Sequence, residues 1–495
     1  MTLAEMLAME PSLSLRPSDA LAGDALAGDA RAELAGLTAD SRAVAPGFLF
    51  AALPGARADG RGFIAEAVRR GAAAVLAPEG TEWPPGVPPR PLLTAADPRR
   101  AFARMAAAHY GLQPATVVAI TGTNGKTSTA EFLRQIWAFG GGAAAASLGT
   151  LGLTRDGVSS GPGLTTPDPV ALHAMLARLA REGVGRLAME ASSHGLDQRR
   201  LDGVRLAAAG FSNLTRDHLD YHGDMAAYRA AKLRLFDTLL PDAAPVVANA
   251  DMEAATLAAL TAIATRRRLR LLTVGEAGRD IRLVSARPMP EGLALDLLAF
   301  GARQQVVLPL VGRFQADNAL LAAGLASVTG VRAPLAALAH LSGVRGRMEL
   351  AARLANGAAI YVDYAHTPDA LARLLTALRP HATGRLLAVF GAGGDRDPGK
   401  RPLMGAVVAE HADLAFITDD NPRGEDPALI RAAIRAACPA GIEIGDRAQA
   451  IAAAMAALRP GDVLAVAGKG HEPGQTIAGV TYPFDDVAVV RGLAG

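Results

Sequence analysis

Short, β-branched apolar runs alternate with longer amphipathic segments along most of this chain. Apolar runs bounded by glycine, proline or polar residues predict buried strands, and the amphipathic segments between them predict helices. Between residues 115 and 341 the predicted strands are Thr116–Thr121, Gly185–Glu190, Leu206–Asn213 and Pro245–Asn249. A second series begins near Met348, with predicted strands Ala358–Asp363, Arg385–Phe390, Asp413–Thr418 and Asp462–Ala467. Strands that alternate with helices are typical of α/β domains built on parallel sheets.

The first 110 residues show the same alternation on a smaller scale. Gly47–Ala52 and Ala72–Ala77 are predicted as short buried strands, with Phe63–Arg70 as the helix between them. Ala95–Tyr110 is predicted as a helix that closes this region. The segment Leu21–Ala30 repeats Leu-Ala-Gly-Asp-Ala twice and is predicted as a surface loop.

A chain of 495 residues is long for one hydrophobic core, so several domains are expected. The predicted boundaries are 1–110, 111–342 and 343–495. The formal net charge of +2 gives no sign of a nucleic-acid or membrane-surface partner. Cys438 is the only cysteine, which excludes an intramolecular disulfide framework and a multi-cysteine metal site.

Two segments bear on cellular location. Met1–Ser14 lacks the basic start of a signal peptide and carries two glutamates. Gln135–Thr154 holds twenty residues without a charge, but its five glycines and its position after a phosphate-loop motif favour a helix end, a turn and a strand. We therefore expect a soluble cytoplasmic protein with no stable membrane insertion.

The run from Val117 to Thr127 is the strongest chemical signal in the sequence. A β-branched strand feeds a glycine-rich loop, and the loop opens into a helix-like segment, Ser128–Phe139. This arrangement is typical of a phosphate-binding loop, in which Lys126 reaches the β- and γ-phosphates and the Thr127 hydroxyl ligates Mg²⁺. The spacing departs from the common pattern, because Gly122 lies three residues before Gly125 rather than five.

Polar clusters follow the ends of several predicted strands, which is where open parallel sheets bind their ligands. Glu190 ends one strand, as an acid that helps to bind Mg²⁺ would. His218 and Lys232 follow a later strand, and either one alone is explained better as an ordinary surface or core residue.

Taken together, these segments resemble the Mur ligase family, whose members are ATP-dependent amino-acid ligases of peptidoglycan stem-peptide synthesis. The motifs that carry the resemblance are Thr-Gly-Thr-Asn-Gly-Lys-Thr (121–127), Glu-Ala-Ser-Ser-His-Gly-Leu (190–196), Asp-His-Leu-Asp-Tyr-His-Gly (217–223), Ala-Ala-Lys (230–232), Gly-Arg-Met-Glu (346–349), Asp-Tyr-Ala-His-Thr-Pro (363–368), Gly-Gly-Asp-Arg-Asp (393–397) and Asp-Asn-Pro-Arg (420–423). Thr-Ala-Asp-Ser-Arg (38–42) and Pro-Gly-Phe-Leu-Phe (46–50) resemble the branch that adds the diamino acid.

The resemblance implies three α/β domains: an N-terminal UDP-binding domain, a central P-loop ATPase domain on a parallel sheet, and a C-terminal Rossmann-like domain that binds the amino acid. The implied reaction adds meso-2,6-diaminopimelate to the D-Glu of UDP-MurNAc-L-Ala-D-Glu through an acyl phosphate, with ATP as co-substrate and two Mg²⁺ ions. The implied catalytic residues are Lys126, Glu190, His218 and Lys232. The implied metal ligands are Thr127, Glu190, His218 and Lys232, the last as a carbamate derived from CO₂.

Binding residues follow from the same resemblance. For ATP they are Gly122, Thr123, Asn124, Gly125, Lys126, Thr127, Ser128, Asn318, Arg347 and Asp363. For the UDP-MurNAc-dipeptide they are Ser41, Thr165, Thr166, Ser192, Gln198 and Arg200. For diaminopimelate they are Arg396, Asp420, Asn421, Pro422, Arg423, Gly468 and Glu472.

The incoming amino acid is the most discriminating expectation. Diaminopimelate differs from L-lysine by one distal carboxylate, and an arginine fork such as that of Arg423 binds a carboxylate through two hydrogen bonds. Glu472 is expected to bind the distal ammonium, and Arg396 the other carboxylate. Rejection of lysine would follow, because lysine leaves Arg423 buried and unpaired.

Three alternatives remain: a ligase that adds L-lysine at the same step, a ligase similar to folylpolyglutamate synthase, and a nucleotide-gated scaffold without ligase activity. Arg423 disfavours the first, and the segments 38–50 and 420–423 disfavour the second. A scaffold predicts loss of Glu190, His218 or Lys232, all of which are present. The glycines of 391–394 hint at a dinucleotide motif, but the third glycine lacks its proper spacing, so a substrate loop is the better interpretation.

Overall fold

A computed structural model describes residues 2–16, 33–55, 58–155, 158–160, 165–289 and 292–494. The chain forms two compact units. The first comprises Met1–Lys126, Gly141–Val247 and Met252–Leu271, and the second comprises Thr127–Gly140, Ala248–Asp251 and Leu272–Gly495. The predicted loop Leu21–Ala30 lies outside the described residues. The boundaries after residues 110 and 342 stay a prediction.

The first unit begins with a five-stranded sheet, formed by β1 (Ser14–Arg16), β2 (Gly36–Thr38), β3 (Phe48–Ala51), β4 (Ala74–Pro78) and β5 (Leu92–Ala95). The strand order is β1-β5-β4-β3-β2, and only β1 pairs in the antiparallel sense within the described residues. Alternate residues of β3 enter different cores: Leu49 packs with one cluster and Phe50 with the other. A sheet with apolar residues on both sides must be covered on both faces, as expected for an α/β domain.

A second sheet of eleven strands carries the phosphate-loop motif. Its strands are β6 (Thr116–Thr121), β7 (Ala144–Gly149), β8 (Gly152–Arg155), β9 (Val158–Ser159), β10 (Val184–Glu190), β11 (Leu206–Phe211), β12 (Pro245–Asn249), β13 (Arg270–Gly275), β14 (Ile281–Met289), β15 (Gly292–Ala299) and β16 (Ala302–Leu308). In the first unit the order is β12-β11-β6-β10-β7-β8-β9, with β6 between two parallel partners. This position brings the ends of β6, β10 and β11 to one edge.

The central sheet is parallel around the predicted site, as expected, and antiparallel at both margins. β7, β8 and β9 pair in the antiparallel sense, and so do β14, β15 and β16. Only two residues of the sequence separate each of these strands from the next, and such short links permit only antiparallel neighbours. The parallel arrangement holds for the strands that carry the predicted site.

The third sheet lies in the second unit and consists of β17 (Glu349–Arg353), β18 (Ala359–Asp363), β19 (Leu386–Phe390), β20 (Leu414–Ile417), β21 (Ile442–Glu443) and β22 (Val463–Ala467). Its order is β17-β18-β22-β19-β20-β21, and β17 alone is antiparallel among the described strands. Phe390 packs in the core on one face and Val389 in the core on the other. A separate hairpin, β23 (Gly474–Ile477) and β24 (Val480–Pro483), follows β22.

The helices that cover these sheets are Leu3–Met9, Ile64–Arg69, Pro98–Tyr110, Lys126–Phe139, Pro169–Arg181, Ser193–Asp197, Leu219–His222, Met225–Arg234, Ala254–Arg266, Arg313–Val328, Pro368–Leu378, Lys400–His411, Pro427–Arg435, Arg447–Ala456 and Asp486–Ala494. Four of them begin with proline after a residue whose side-chain oxygen accepts a helix amide: Asp97, Asp168, Thr367 and Asp426. A capping oxygen followed by proline fixes where a helix starts. Short 3₁₀ segments are Ser41–Ala43, Gly60–Phe63, Ala336–His340 and Arg379–His381, and Leu235–Leu239 is π-helical.

The predicted strands of the two series all occur, with bounds that differ by at most two residues at either end. Gln135–Thr154 divides into the end of a helix, a turn and strands β7 and β8, as predicted. No helix in the described ranges is long and apolar enough to cross a membrane.

Candidate active site

The phosphate loop occupies the turn between β6 and the helix Lys126–Phe139. Gly122 has φ +147°, and a Cβ atom there would lie 1.9 Å from Ser212 Oγ, so only glycine fits this point. The loop is fixed from the neighbouring strand end, because the Asn124 amide donates to Asn213 Oδ1 at 3.0 Å and the Thr123 amide donates to Asn213 O at 2.9 Å. These contacts hold the loop open as a cradle of backbone amides.

Two lysines meet at one carbonyl oxygen of this loop. Lys126 Nζ donates to Gly122 O at 2.9 Å and to Thr123 O at 2.8 Å. Lys232 Nζ donates to the same Gly122 O at 2.6 Å and lies 4.6 Å from the centre of the Tyr228 ring. The Lys232 side chain is 1% exposed. Burial, and then the nearby Lys126 charge, lower the Lys232 pKa well below its usual range, which favours a neutral amine.

Glu190 ends β10 and is also 1% exposed. Its Oε1 accepts the Thr150 amide at 2.9 Å, and the Thr150 hydroxyl donates to Oε2 at 3.4 Å. A Cβ on Gly149 would lie 1.9 Å from Glu190 Oε1, so the close approach of β7 requires glycine. The carboxylate is thus fixed by its neighbours before any cation binds.

His218 lies among aromatic rings on the segment that follows β11. Its backbone is left-handed at φ +53°, and its ring is 4.9 Å from the ring of His194 and 6.2 Å from that of Tyr228. Lys232 Nζ also contacts this group, through the Tyr228 ring. Burial raises the Tyr228 pKa to about 12, so this phenol stays protonated at neutral pH. The structure therefore brings His218 and Lys232 to the same aromatic group.

The donor set fits a hard cation that has few protein ligands. Across the described ranges, no three His, Cys, Asp or Glu side chains come together as a metal cage. Mg²⁺ in phosphate sites is usually held by one or two carboxylates together with waters and phosphate oxygens. Glu190 provides one such fixed carboxylate, while Lys232 as an amine provides none.

The residues predicted to bind the UDP-MurNAc-dipeptide gather beside Glu190. Thr166 Oγ1 lies 3.0 Å from Ser192 Oγ and donates to Glu190 O at 3.1 Å. Arg200 Nη1 donates to Thr166 O at 2.7 Å, and two of its other nitrogens contact Gln198 Oε1. Thr165 Oγ1 lies 3.1 Å from Thr150 Oγ1. One hydrogen-bonded group thus contains all but one of the residues predicted for this substrate.

A cavity of about 550 Å³ extends from Gln198 and Arg200 to the loop after β2. Its lining includes Thr38, Asp40, Arg99 and Asp168, while the predicted Ser41 lies one residue beyond Asp40 and is buried. Hydrogen bonds from Arg42 lower the Asp40 pKa to about 2. The cavity is large enough for part of a nucleotide and carries both signs of charge.

The residues predicted for the far end of ATP lie in the second unit. Asp363 ends β18 and accepts the amides of Met348 and Ala365 at 2.7 and 2.8 Å. Burial raises its pKa, against the opposing effect of Arg347. The Arg347 guanidinium lies 4.8 Å from the centre of the Tyr364 ring, and its buried Nε has no hydrogen-bond partner among the described residues. Asn318 is buried in its helix and donates to Gln315 Oε1 at 3.1 Å.

Two of the loops that carry the predicted diaminopimelate residues follow β19 and β20. The Gly394 amide donates to Asn421 O at 2.9 Å, and Arg423 Nη1 donates to Gly394 O at 2.8 Å. A Cβ on Gly394 would lie 1.9 Å from Pro422 O, so the loops approach closely because of glycine. This close approach accounts for the glycine-rich segment 391–394, which serves loop packing. Arg423 is held at φ +52° and pairs its backbone with the hairpin β23–β24.

The same loops meet the segment after β22. Asn421 Nδ2 donates to Glu472 Oε2 at 2.8 Å. Gly468 has φ +120°, and a Cβ there would lie 2.4 Å from Asp420 Oδ2. Arg396 is exposed on the first loop. The seven predicted diaminopimelate residues therefore lie on three adjoining loops at the carboxyl ends of β19, β20 and β22.

Several residues that shape the site were not among those predicted. Asn213 supports the phosphate loop, Thr150 supports Glu190, and Tyr221 supports Gln198. Asn213 and Tyr221 lie in or beside polar strand-end clusters, which was a usable signal. Thr150 gave no signal, because its role depends on the register of β7 against β10.

The chain belongs to the Mur ligase family. Residues 33–110 match the Mur ligase family catalytic domain, 120–326 match the Mur ligase middle domain, and 346–470 match the Mur ligase glutamate ligase domain. These three segments follow the order expected from the motifs.

The particular relatives are ligases of one kind. A Caulobacter vibrioides protein named UDP-N-acetylmuramoyl-L-alanyl-D-glutamate--2,6-diaminopimelate ligase is 57% identical over 471 residues, which cover 93% of this chain and 96% of that protein. A protein of the same name from Rhizobium meliloti is 51% identical, with 94% of each chain covered.

Solved structures agree with the fold. A structure titled as UDP-N-acetylmuramoyl-L-alanyl-D-glutamate--2,6-diaminopimelate ligase is 32% identical, has a TM-score of 0.72, and covers 100% of this chain and 98% of its own. Folylpolyglutamate synthase from Mycobacterium tuberculosis, complexed with ADP and AMPPCP, is 18% identical with a TM-score of 0.60, and the match covers 75% of this chain and 92% of that one. The second match concerns the fold alone.

Proposed function

We propose that this chain is an ATP-dependent ligase that joins meso-2,6-diaminopimelate to the D-Glu of UDP-MurNAc-L-Ala-D-Glu in peptidoglycan precursor synthesis. The observation that carries the proposal is the identity of 51–57%, along more than nine-tenths of the chain, to relatives named for this ligation. The loop geometry around Arg423 and Glu472 supports the choice of amino acid.

The reaction has two steps. The γ-phosphoryl group of ATP passes to an oxygen of the D-Glu carboxylate, which gives an acyl phosphate and ADP. The free amine of diaminopimelate then attacks the acyl carbon, and the resulting tetrahedral intermediate expels inorganic phosphate and leaves the amide. Lys126 and the loop amides stabilise the negative charge of the transferring phosphoryl group.

Thr127, Glu190 and His218 would hold two Mg²⁺ ions, with a carbamate on Lys232 as a further ligand. Bound Mg²⁺ supplies charge neutralisation for the phosphate and acyl-phosphate oxygens. Formation of a carbamate requires a neutral amine, and the buried environment of Lys232 supports that state. The carbamate would turn a group that repels cations into one that binds them.

The two remaining substrates have separate sets of residues. Thr165, Thr166, Ser192, Gln198, Arg200 and Ser41 would bind the UDP-MurNAc-dipeptide. Arg423 would bind the distal carboxylate of diaminopimelate, Glu472 its distal ammonium and Arg396 the other carboxylate. Asn318, Arg347 and Asp363 would contact ATP. Because ATP and the uridine nucleotide are cytoplasmic metabolites, the reaction belongs in the cytoplasm.

The test is phosphate release from Mg²⁺-ATP in the presence of UDP-MurNAc-L-Ala-D-Glu, with meso-diaminopimelate or L-lysine added. We expect phosphate release with diaminopimelate and none with L-lysine. The release should require both UDP-MurNAc-L-Ala-D-Glu and diaminopimelate. Release with lysine instead would contradict the specificity assigned to Arg423. ATP hydrolysis that depends on neither substrate would favour a nucleotide-gated scaffold.

A further inference from the structure

Lys469 is a buried cation that is not among the residues predicted from the sequence to bind a substrate. It follows β22 in the segment Gly468-Lys469-Gly470, and its side chain is 0% exposed. Both neighbouring glycines have positive φ, +120° and +56°, and a Cβ at either position would collide with surrounding atoms. The backbone on each side is therefore fixed, and the ammonium is directed into the protein.

The ammonium has two acceptors, and both belong to the proposed diaminopimelate site. Lys469 Nζ lies 3.1 Å from Asn421 Oδ1 and 3.2 Å from Glu472 Oε2. Asn421 closes the triangle, because its Nδ2 donates to the same Glu472 Oε2 at 2.8 Å. The Thr476 amide also donates to Asn421 Oδ1 at 2.9 Å, which fixes the orientation of the amide group.

The arrangement is asymmetric at the Glu472 carboxylate. Among the described residues, the hydrogen bonds to this carboxylate all go to Oε2, and the side chain remains partly exposed. Oε1 is therefore available to a ligand, while Oε2 fixes the direction of the carboxylate. A charge-assisted hydrogen bond of this kind is stronger than a neutral one and restricts rotation.

From this geometry we infer that Lys469 is a positioning residue of the diamino-acid site: together with Asn421 it holds Glu472 through Oε2 and presents Oε1 to the distal ammonium of the substrate. The inference rests on the proposed function, because it assumes that Glu472 receives that ammonium. The Lys469 side chain is 0% exposed, so its effect on a ligand passes through the two residues it contacts, Asn421 and Glu472. Of these two, Glu472 is the one assigned to the distal amine, which makes the inference testable.

The experiment compares two amino acids on Lys469→Met. meso-Diaminopimelate carries the distal amine, whereas L-2-aminopimelate has the same carboxylates and reacting amine but no distal amine. We expect kcat/KM for diaminopimelate to fall about tenfold or more, mainly through KM, as for loss of a charged hydrogen bond. For L-2-aminopimelate the change should stay below about threefold. An equal loss with both amino acids would contradict the inference and assign Lys469 a purely structural role.

A second arm uses diaminopimelate alone and covers the case of a partly destabilised variant. In Glu472→Ala the carboxylate that Lys469 orients is absent, so adding Lys469→Met should cause little further loss, below about threefold. Independent, multiplicative losses in the double variant would overturn the inference.

The matched control is Arg385→Met, which removes a buried-carboxylate ion pair with Asp462 (2.7 Å) at the opposite end of β22. This variant should lower the melting temperature without changing the ratio of kcat/KM for diaminopimelate to kcat/KM for L-2-aminopimelate. If the unchanged protein releases no phosphate with diaminopimelate, the proposed function fails, and this outcome is distinct from a failure of the Lys469 role.

Discussion

The phosphate-loop region and the predicted diaminopimelate region provide different hydrogen-bond partners for their lysines. At the phosphate loop, Lys126 and Lys232 both donate to the backbone oxygen of Gly122. In the predicted diaminopimelate region, the buried Lys469 is paired with a carboxylate and an amide, and Arg423 is held by the neighbouring loop. The first region gives both lysines a backbone oxygen, whereas the second gives its lysine a carboxylate and a side-chain amide.

This difference indicates how each region is completed. Two lysine amines close to one carbonyl oxygen form a favourable site for an incoming phosphate, because a nearby anion favours the protonated form of each amine. A compensated lysine, by contrast, serves to orient its partner. Lys232 therefore gains a charged partner only when an anion binds, whereas the side chains around Lys469 already pair with one another.

Lys232→Ala is the strongest test of this contrast, since it removes the group proposed to become a metal ligand. We expect kcat/KM for ligation to fall about a thousandfold or more, on the order of 4 kcal/mol of transition-state stabilisation. Binding of UDP-MurNAc-L-Ala-D-Glu, measured by calorimetry, should change little. Bicarbonate should not restore the variant, whereas short carboxylic acids should restore part of its activity.

A matched control for that variant lies on the same helix. Arg229→Ala removes an ion pair with Glu253 (2.8 Å) but leaves the buried end of the helix intact. Its activity should stay within about threefold of the unchanged protein. Normal turnover of Lys232→Ala would mean that the carbamate assignment is wrong.

Arg423→Lys tests the predicted diaminopimelate region and should have a smaller effect. A lysine keeps the charge but cannot bind a carboxylate through two parallel hydrogen bonds, and it loses the contact from Nη1 to Gly394 O. We expect kcat/KM for meso-diaminopimelate to fall about 30- to 100-fold. The KM for ATP should change less than about threefold.

The kcat/KM for meso-diaminopimelate and the KM for ATP together decide the role of Arg423. If kinetics at varied ATP show a loss as large as the loss for diaminopimelate, Arg423 maintains the loop and does not read the carboxylate. Discrimination against L-lysine should also weaken in this variant, because a lysine left without a carboxylate can lose its proton, whereas an arginine stays charged.

The contrast between the regions also explains what the sequence could predict. The strands around the phosphate loop were predictable because each is a short apolar run that ends in a polar cluster, and β6 and β12 match their predicted bounds. β7 and β8 fall in the segment 135–154, which was predicted to end in a strand, whereas β9 and β14–β16 had no predicted counterpart. Their polar and apolar residues mix, since one face or edge is partly exposed, and such strands give a weaker pattern.

Within the site, residues with a motif could be named from the sequence, whereas residues that act through packing could not. Gly149 matters only because a Cβ there would meet Glu190, and Thr150 only because its amide reaches that carboxylate. Lys469 lies between Gly468 and Glu472, both predicted for diaminopimelate, yet the role inferred for it depends on a triangle with Asn421 and Glu472 that requires separate loops to converge. Convergence of distant segments is a property of the fold and has no local signal.

The smallest expected effect concerns stability in acid and involves one histidine from each of the two units. His173 in the first unit and His471 in the second are both buried, each with an Nδ1 atom that has no hydrogen-bond partner among the described residues. Burial lowers the pKa of each from 6.5 to about 4, and nearby arginines add to the effect at His471. Between these pH values the unfolded chain binds more protons than the folded one, so the free energy of unfolding falls as the pH falls from about 6.5 toward 4.

Replacing either histidine by leucine should remove its share of this acid sensitivity. Each variant should show a loss of unfolding free energy between pH 6.5 and 4.5 that is about 2 kcal/mol smaller than in the unchanged protein, as measured by urea denaturation. Because the histidines lie in different units, separate unfolding transitions would assign His173 to one transition and His471 to the other. If neither substitution changes the pH dependence of the free energy of unfolding, both imidazoles are accessible to water in the folded protein, which would contradict the burial of His173 and His471.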